Sequence, residues 1–111
     1  MRYDIDLFAQ IIDFIVKHDD EPELYLRMKD GTEVDFVCYN EWIDAYIEER
    51  DFKFKNIIDF LDNMYINNVS LRQCWNEIEY IDDDCGCIDW TKTPTEQFQV
   101  IDGRISYVPK R

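Results

Sequence analysis

At 111 residues the chain has the length of one domain, and with 46% hydrophobic and 15% aromatic residues it carries enough apolar surface to fold around a core. Its 25 acidic residues outweigh 12 basic ones, for a net charge of −13 with His18 neutral. That balance argues against direct nucleic-acid binding, which needs a basic footprint, and against anionic membranes; the fitting partners are basic protein surfaces or divalent cations.

The stretch from Met1 to Asp6 lacks the basic and apolar regions of an export signal, and residues 11–16, interrupted by Asp13, are far too few to span a bilayer. A cytoplasmic protein of a bacterial host cell is expected, with Cys38, Cys74, Cys85 and Cys87 as reduced thiols.

In chain order, residues 4–18 read as a helix. Ile5, Phe8, Ile12 and Ile15 recur at three- and four-residue spacing, Asp4 caps the start, and the acidic turn before Pro22 stops it. A hairpin follows. A three-residue loop at Lys29-Asp30-Gly31 pairs Leu26 with Val34 and Leu24 with Phe36 on one apolar face, with Gly31 supplying the left-handed residue. Residues 40–50 read as a short helix capped by Asn40, and residues 54–66 as another carrying Phe54, Ile57, Ile58, Leu61 and Tyr65. Ser70 and Gln73 fit a capping box, announcing a further helix with Leu71, Cys74, Trp75 and Ile78 as its stripe. An acidic loop, Asp82 to Asp89, and a linker, Thr91 to Thr95, lead to a second hairpin. Its two-residue turn at Asp102-Gly103 pairs Val100 with Ile105 and Phe98 with Tyr107, putting all four on one face. The expected architecture is one α+β domain over residues 1–111, of order αββαααββ. Both hairpins would join in one antiparallel sheet, with the helices packed on one face.

The motifs that carry chemistry are sparse. Four cysteines could hold zinc, but the close pair Cys85 and Cys87 has one intervening residue, and Cys38 and Cys74 fall on apolar faces. A small zinc-binding domain is therefore only the second alternative. The run Asp82 to Asp89 lacks the carboxylate order of a calcium loop. His18 stands at a helix C-terminus, where the dipole accounts for it, and no phosphate-cradling glycine loop or nucleophile motif occurs. No enzyme, cofactor or metal site is expected.

The remaining signal is where the acid sits. Asp19, Asp20, Glu21 and Glu23 form one cluster; Glu41, Asp44, Glu48, Glu49 and Asp51 a second; Glu77, Glu79, Asp82, Asp83, Asp84 and Asp89 a third. On a helix, Glu41, Asp44 and Glu48 would share a face at roughly 5–6 Å between Cβ atoms, a locally unfavourable arrangement. Duplex DNA carries one negative charge per roughly 1.7 Å of axis, so rows of carboxylates can occupy a phosphate-binding groove and block it. In size and acidity the chain is similar to small phage-encoded inhibitors of restriction, CRISPR and DNA-repair enzymes. The expected function is such a non-enzymatic inhibitor, a monomer or homodimer whose partner is a nuclease or CRISPR effector. The alternative is a generic interaction, immunity or regulatory protein whose acidity serves solubility. The expected contact residues are Glu41, Asp44, Glu48, Glu49, Glu77, Glu79, Asp82, Asp83, Asp84 and Asp89, with Trp42 and Trp90 as aromatic anchors.

Overall fold

The computed structural model describes residues 3–18, 20–83 and 86–107. Helix α1 spans Ile5–Lys17; Asp4 accepts from the Leu7 N–H at 2.9 Å, and Phe8, Ile11, Ile12 and Ile15 are buried. His18 closes it, its Nδ1 donating to the Phe14 carbonyl at 2.8 Å. The first hairpin is β1 (Glu23–Met28) and β2 (Glu33–Cys38), in the expected register, with Leu26 opposite Val34 and Leu24 opposite Phe36. Its loop has three residues, closed by Met28 N–H to the Thr32 carbonyl, and Gly31 takes φ +92°.

The segment 40–50 is not a helix. It holds β3 (Ile43–Ile47) and the start of β4 (Arg50–Phe54), joined by a two-residue turn in which Glu48 and Glu49 both take positive φ, 50° and 64°. Ile43 and Ile47 suit either a four-residue or a two-residue period. The two-residue period also buries Ala45 and turns Asp44 and Tyr46 outward. Asn40 therefore caps no helix, and the turn escapes the sequence because glutamate is not a left-handed residue by habit.

Helix α2 is shorter than expected, Ile57–Asn63, with the Asn56 side chain accepting from Asp59 N–H at 2.9 Å. Phe54 ends β4 instead, and Tyr65 belongs to β5 (Tyr65–Ile66), which pairs with β6 (Val69–Ser70). The Ser70–Gln73 capping box forms in both directions, at 3.0 and 3.2 Å, yet it starts only turns and a single 3₁₀ turn, Trp75–Glu77. The chain then enters β7 (Ile78–Asp83), so Asp82 and Asp83 lie in a strand rather than a loop. Pro94–Gln97, which overlaps the end of the expected Thr91–Thr95 linker, forms the short helix α3 under a Thr93/Glu96 capping box. The last hairpin, β8 (Phe98–Ile101) and β9 (Arg104–Tyr107), has the expected pairs, Val100 with Ile105 and Phe98 with Tyr107.

The fold is α+β, but the order αββαααββ and the joining of the two hairpins are corrected. The five-stranded antiparallel sheet runs β4-β3-β2-β1-β7, while β8-β9 and β5-β6 stand as separate ribbons. The inner face of the sheet, including Leu26, Val34, Phe36, Ala45 and Ile81, packs with α1 and α2 residues into one core. Phe36 bridges the layers, 6.3 Å from Phe8 and 4.8 Å from Phe60 between ring centroids. Among the described residues no helix is long and apolar enough to cross a membrane.

Candidate interaction face

With the apolar residues of each strand turned inward, alternation fixes what the outer face shows. The strand registers place Asp82 opposite Tyr25, Tyr25 opposite Asp35, Asp35 opposite Tyr46, and Tyr46 opposite Asp51. One rung of alternating aspartate and tyrosine thus crosses all five strands, a span of roughly 19 Å at the usual strand spacing. A neighbouring rung carries Glu23, Val37, Asp44 and Lys53, and a third carries Tyr80, Arg27 and Glu33. Asp35, Asp44 and Asp51 are diagonal neighbours on successive strands, about 7–8 Å apart.

The face forms a shallow hollow of about 590 Å³ whose lining includes Tyr25, Asp35, Asp44, Tyr46, Asp51 and Asp82. A second hollow, of about 510 Å³, shares Asp35 and Tyr46 with the first and extends to Glu33 and Glu48. Tyr46 is 47% exposed. Positive charge on the face is largely engaged. Arg27 lies 4.3 Å above the Tyr80 ring and 2.8 Å from the Glu79 carboxylate, and Lys53 sits 3.9 Å from Asp44.

Asp44 is the strained member of the set. Its Oδ1 is buried without a hydrogen-bond partner. Sharing a proton with Asp51 would supply one, and that interaction, followed by burial and the Asp51 charge, raises the Asp44 pKa above the ordinary carboxylate value; Lys53 opposes the shift. Elsewhere Asp30, Asp59 and Glu96 are held low by hydrogen bonds within their own turns, first among them those from the backbone N–H groups of Thr32, Lys55 and Thr93.

Of the residues expected at a contact, Asp44 and Asp82 lie on this face, Asp83 at its rim, and Glu79 at its margin beside Arg27. Glu48 and Glu49 form the exposed β3–β4 turn, away from Glu41 in the β2–β3 loop, so residues 40–50 carry no helical acidic stripe. Trp42 is 42% exposed and packs on Tyr39 at 4.9 Å. Trp90 is corrected: it is a core residue, 8% exposed and 5.4 Å from Phe8. Glu77 is exposed at the end of the 3₁₀ turn, and Asp89 accepts from Thr91 in a local turn. Asp84, like Asp19 in the first cluster, lies outside the described residues.

The contact set expected from sequence omitted Asp35, Asp51, Tyr25 and Tyr46. The signal for the first pair of partners was present: a register that sets Leu24 against Phe36 and Leu26 against Val34 sets Tyr25 against Asp35. The β3–β4 partners were hidden by the helical reading.

Among the described residues the cysteines form no metal site. Cys38 is fully buried in the core, and burial pushes its thiol far above the ordinary value; Cys74 is half-buried; Cys87 is disulfide-bonded, which corrects the expectation of four reduced thiols. Cys85 lies outside the described residues, and among those described no cluster of three or more histidine, cysteine or acidic side chains is arranged to hold a metal. Compared with protein-family models, curated proteins and solved structures, the chain matches none.

Proposed function

We propose that the protein is a non-enzymatic inhibitor that presses the outer face of its five-stranded sheet into a basic, nucleic-acid-binding groove of a DNA- or RNA-handling enzyme. The observation that carries the reading is the rung Asp82–Tyr25–Asp35–Tyr46–Asp51 with Asp44 beside it. A rigid sheet spaces these carboxylates at about 7–10 Å. Successive phosphates of one strand advance about 3.4 Å along the duplex axis while winding around it, so their separation through space is of a similar order. Tyrosines between the acids add rigid, amphipathic contact area of the kind that anchors protein interfaces. The regular spacing supports this reading over acidity that serves solubility alone.

The test is affinity capture from a bacterial lysate at low and high salt, using the wild type and an Asp35→Asn/Asp44→Asn/Asp51→Asn variant. The expected result is a nuclease, glycosylase or nucleic-acid-guided effector recovered at low salt, lost at high salt and not recovered by the variant. Salt-insensitive capture, or capture unaffected by the triple substitution, would refute electrostatic mimicry. Recovery of a single enzyme or toxin that handles no nucleic acid would favour an immunity or regulatory role.

A further inference from the structure

We propose that the free edge of β4 pairs with β4 of a second copy, making a two-fold homodimer with a continuous ten-stranded sheet. The inference rests on the sheet edge and stands whether or not the outer face mimics nucleic acid.

The two edges of the sheet are treated differently. At β7 the Ile81 N–H donates to the Tyr3 hydroxyl at 3.2 Å and the Asp83 N–H turns to the Asp82 carboxylate at 3.0 Å, so that edge is engaged. At β4, among the described residues, no strand other than β3 pairs. The two-residue turn after Ile47 makes Ile47 and Arg50 a hydrogen-bonded pair, so the bonds towards β3 fall on Arg50, Phe52 and Phe54. The N–H and C=O groups of Asp51 and Lys53 therefore point away from the sheet, ready to receive another strand.

The occupant is identified by charge. On β4 the positions turned to the outer face are Asp51 and Lys53, an acid and a base two residues apart, in a chain whose net charge is −13. Antiparallel pairing about a two-fold axis at Phe52 sets Asp51 opposite Lys53 of the second copy, twice. The same axis puts Phe52 against Phe52 in a non-hydrogen-bonded pair, where side chains approach most closely. It also makes Asp51 and Lys53 the hydrogen-bonded pairs, matching the direction in which their backbone groups already point. A shift of two residues centres the axis on Asp51 or on Lys53 and opposes like charges, and parallel in-register pairing does the same. The pattern selects one register, whereas lone charges on an edge would only forbid pairing.

Sedimentation equilibrium from about 10 μM to about 1 mM tests this on the intact chain. The wild type should pass from 13.5 kDa towards twice that mass. Asp51→Lys alone and Lys53→Asp alone should each weaken association at least about tenfold, because each opposes like charges twice. An equimolar mixture of the two variants should restore it, since every opposed pair is again complementary. A wild type that stays monomeric to 1 mM, single variants that associate as well as wild type, or a mixture of folded variants that stays monomeric would each overturn the proposal. Should either variant fail to fold, amide exchange of the wild type decides. Protection at Asp51 and Lys53 should rise with protein concentration while that at Tyr46 stays constant, and concentration-independent protection at Asp51 and Lys53 would overturn the seam.

Discussion

Asp44→Asn should stabilise the protein, although it removes an ion-pair partner. The carboxyl of Asp44 is 31% exposed, has one buried oxygen without a partner, and faces Asp51 diagonally across the β3–β4 ladder. Like charges at cross-strand positions cost about 0.2–1 kcal/mol, and partial burial of an unpartnered oxygen adds to that. Against this stands the Lys53 pair, at 3.9 Å and with the lysine 66% exposed, which is worth a few tenths of a kcal/mol at most. The balance is a gain of about 0.5–1 kcal/mol at neutral pH. With an unfolding entropy of about 0.2 kcal/mol per kelvin for this length, Tm should rise by about 2–4 °C.

The pH dependence follows from the raised pKa of Asp44. The folded protein holds that proton more tightly than the unfolded chain, so the ionised carboxylate destabilises the fold above its folded-state pKa. The penalty disappears as pH falls through that value, and the two proteins should converge below about pH 4. Loss of chain-wide repulsion on acidification is common to both and cancels in the difference. Paired thermal melts from pH 7 to pH 4 at low micromolar protein measure this, with Asp51→Asn and the double variant completing a cycle. The two single gains should not add, because either one removes the shared repulsion. A lowered Tm for Asp44→Asn, a difference independent of pH, or full additivity would refute the account.

Trp90→Ala should cost about 3–5 kcal/mol, because it empties a core site packed against Phe8. Thermal denaturation reads this as a drop of more than about 10 °C, and a near-native Tm would return Trp90 to a surface role. The Cys38 thiol, buried and pushed above its ordinary pKa, should resist a thiol-specific disulfide reagent at pH 8 until urea unfolds the chain, whereas half-buried Cys74 should react in the native state. Equal native labelling of the two would contradict the core placement.

What could be read in advance follows from how local the determining physics is. Helix α1 and both expected hairpins were legible because a cap at Asp4 and glycines at 31 and 103 mark their ends, and the apolar period between those marks admits one register. Residues 43–54 were misread because their two isoleucines fit both periods and because Glu48-Glu49 carries no turn signature. That one error moved three elements. It removed two strands from the sheet, invented an acidic helix, and hid the fact that Asp44 and Asp51 meet. The place of β7 beside β1 was illegible for another reason: strand neighbours 50 residues apart are chosen by the core, through Ile78 and Ile81, and no local pattern records that choice.

The topology bears on how the two proposed surfaces could coexist. Pairing through β4 would consume backbone groups at the sheet edge and, of the outer face, only the Asp51 and Lys53 side chains on its last strand. The rung from Asp82 to Tyr46 would stay open in each copy, and the second copy would continue the same face. The two contacts should nevertheless respond oppositely to salt. Contact with a basic groove gains from long-range attraction and weakens as screening increases. Two copies of charge −13 repel at distances where screening acts strongly, while the backbone bonds and the opposed pairs at the seam act at contact. Added salt should therefore favour the seam and disfavour the groove. A single titration from about 50 to about 500 mM salt, following mass and partner capture together, separates the two, and a seam that weakened in step with capture would mean that its ion pairs outweigh the repulsion between the copies.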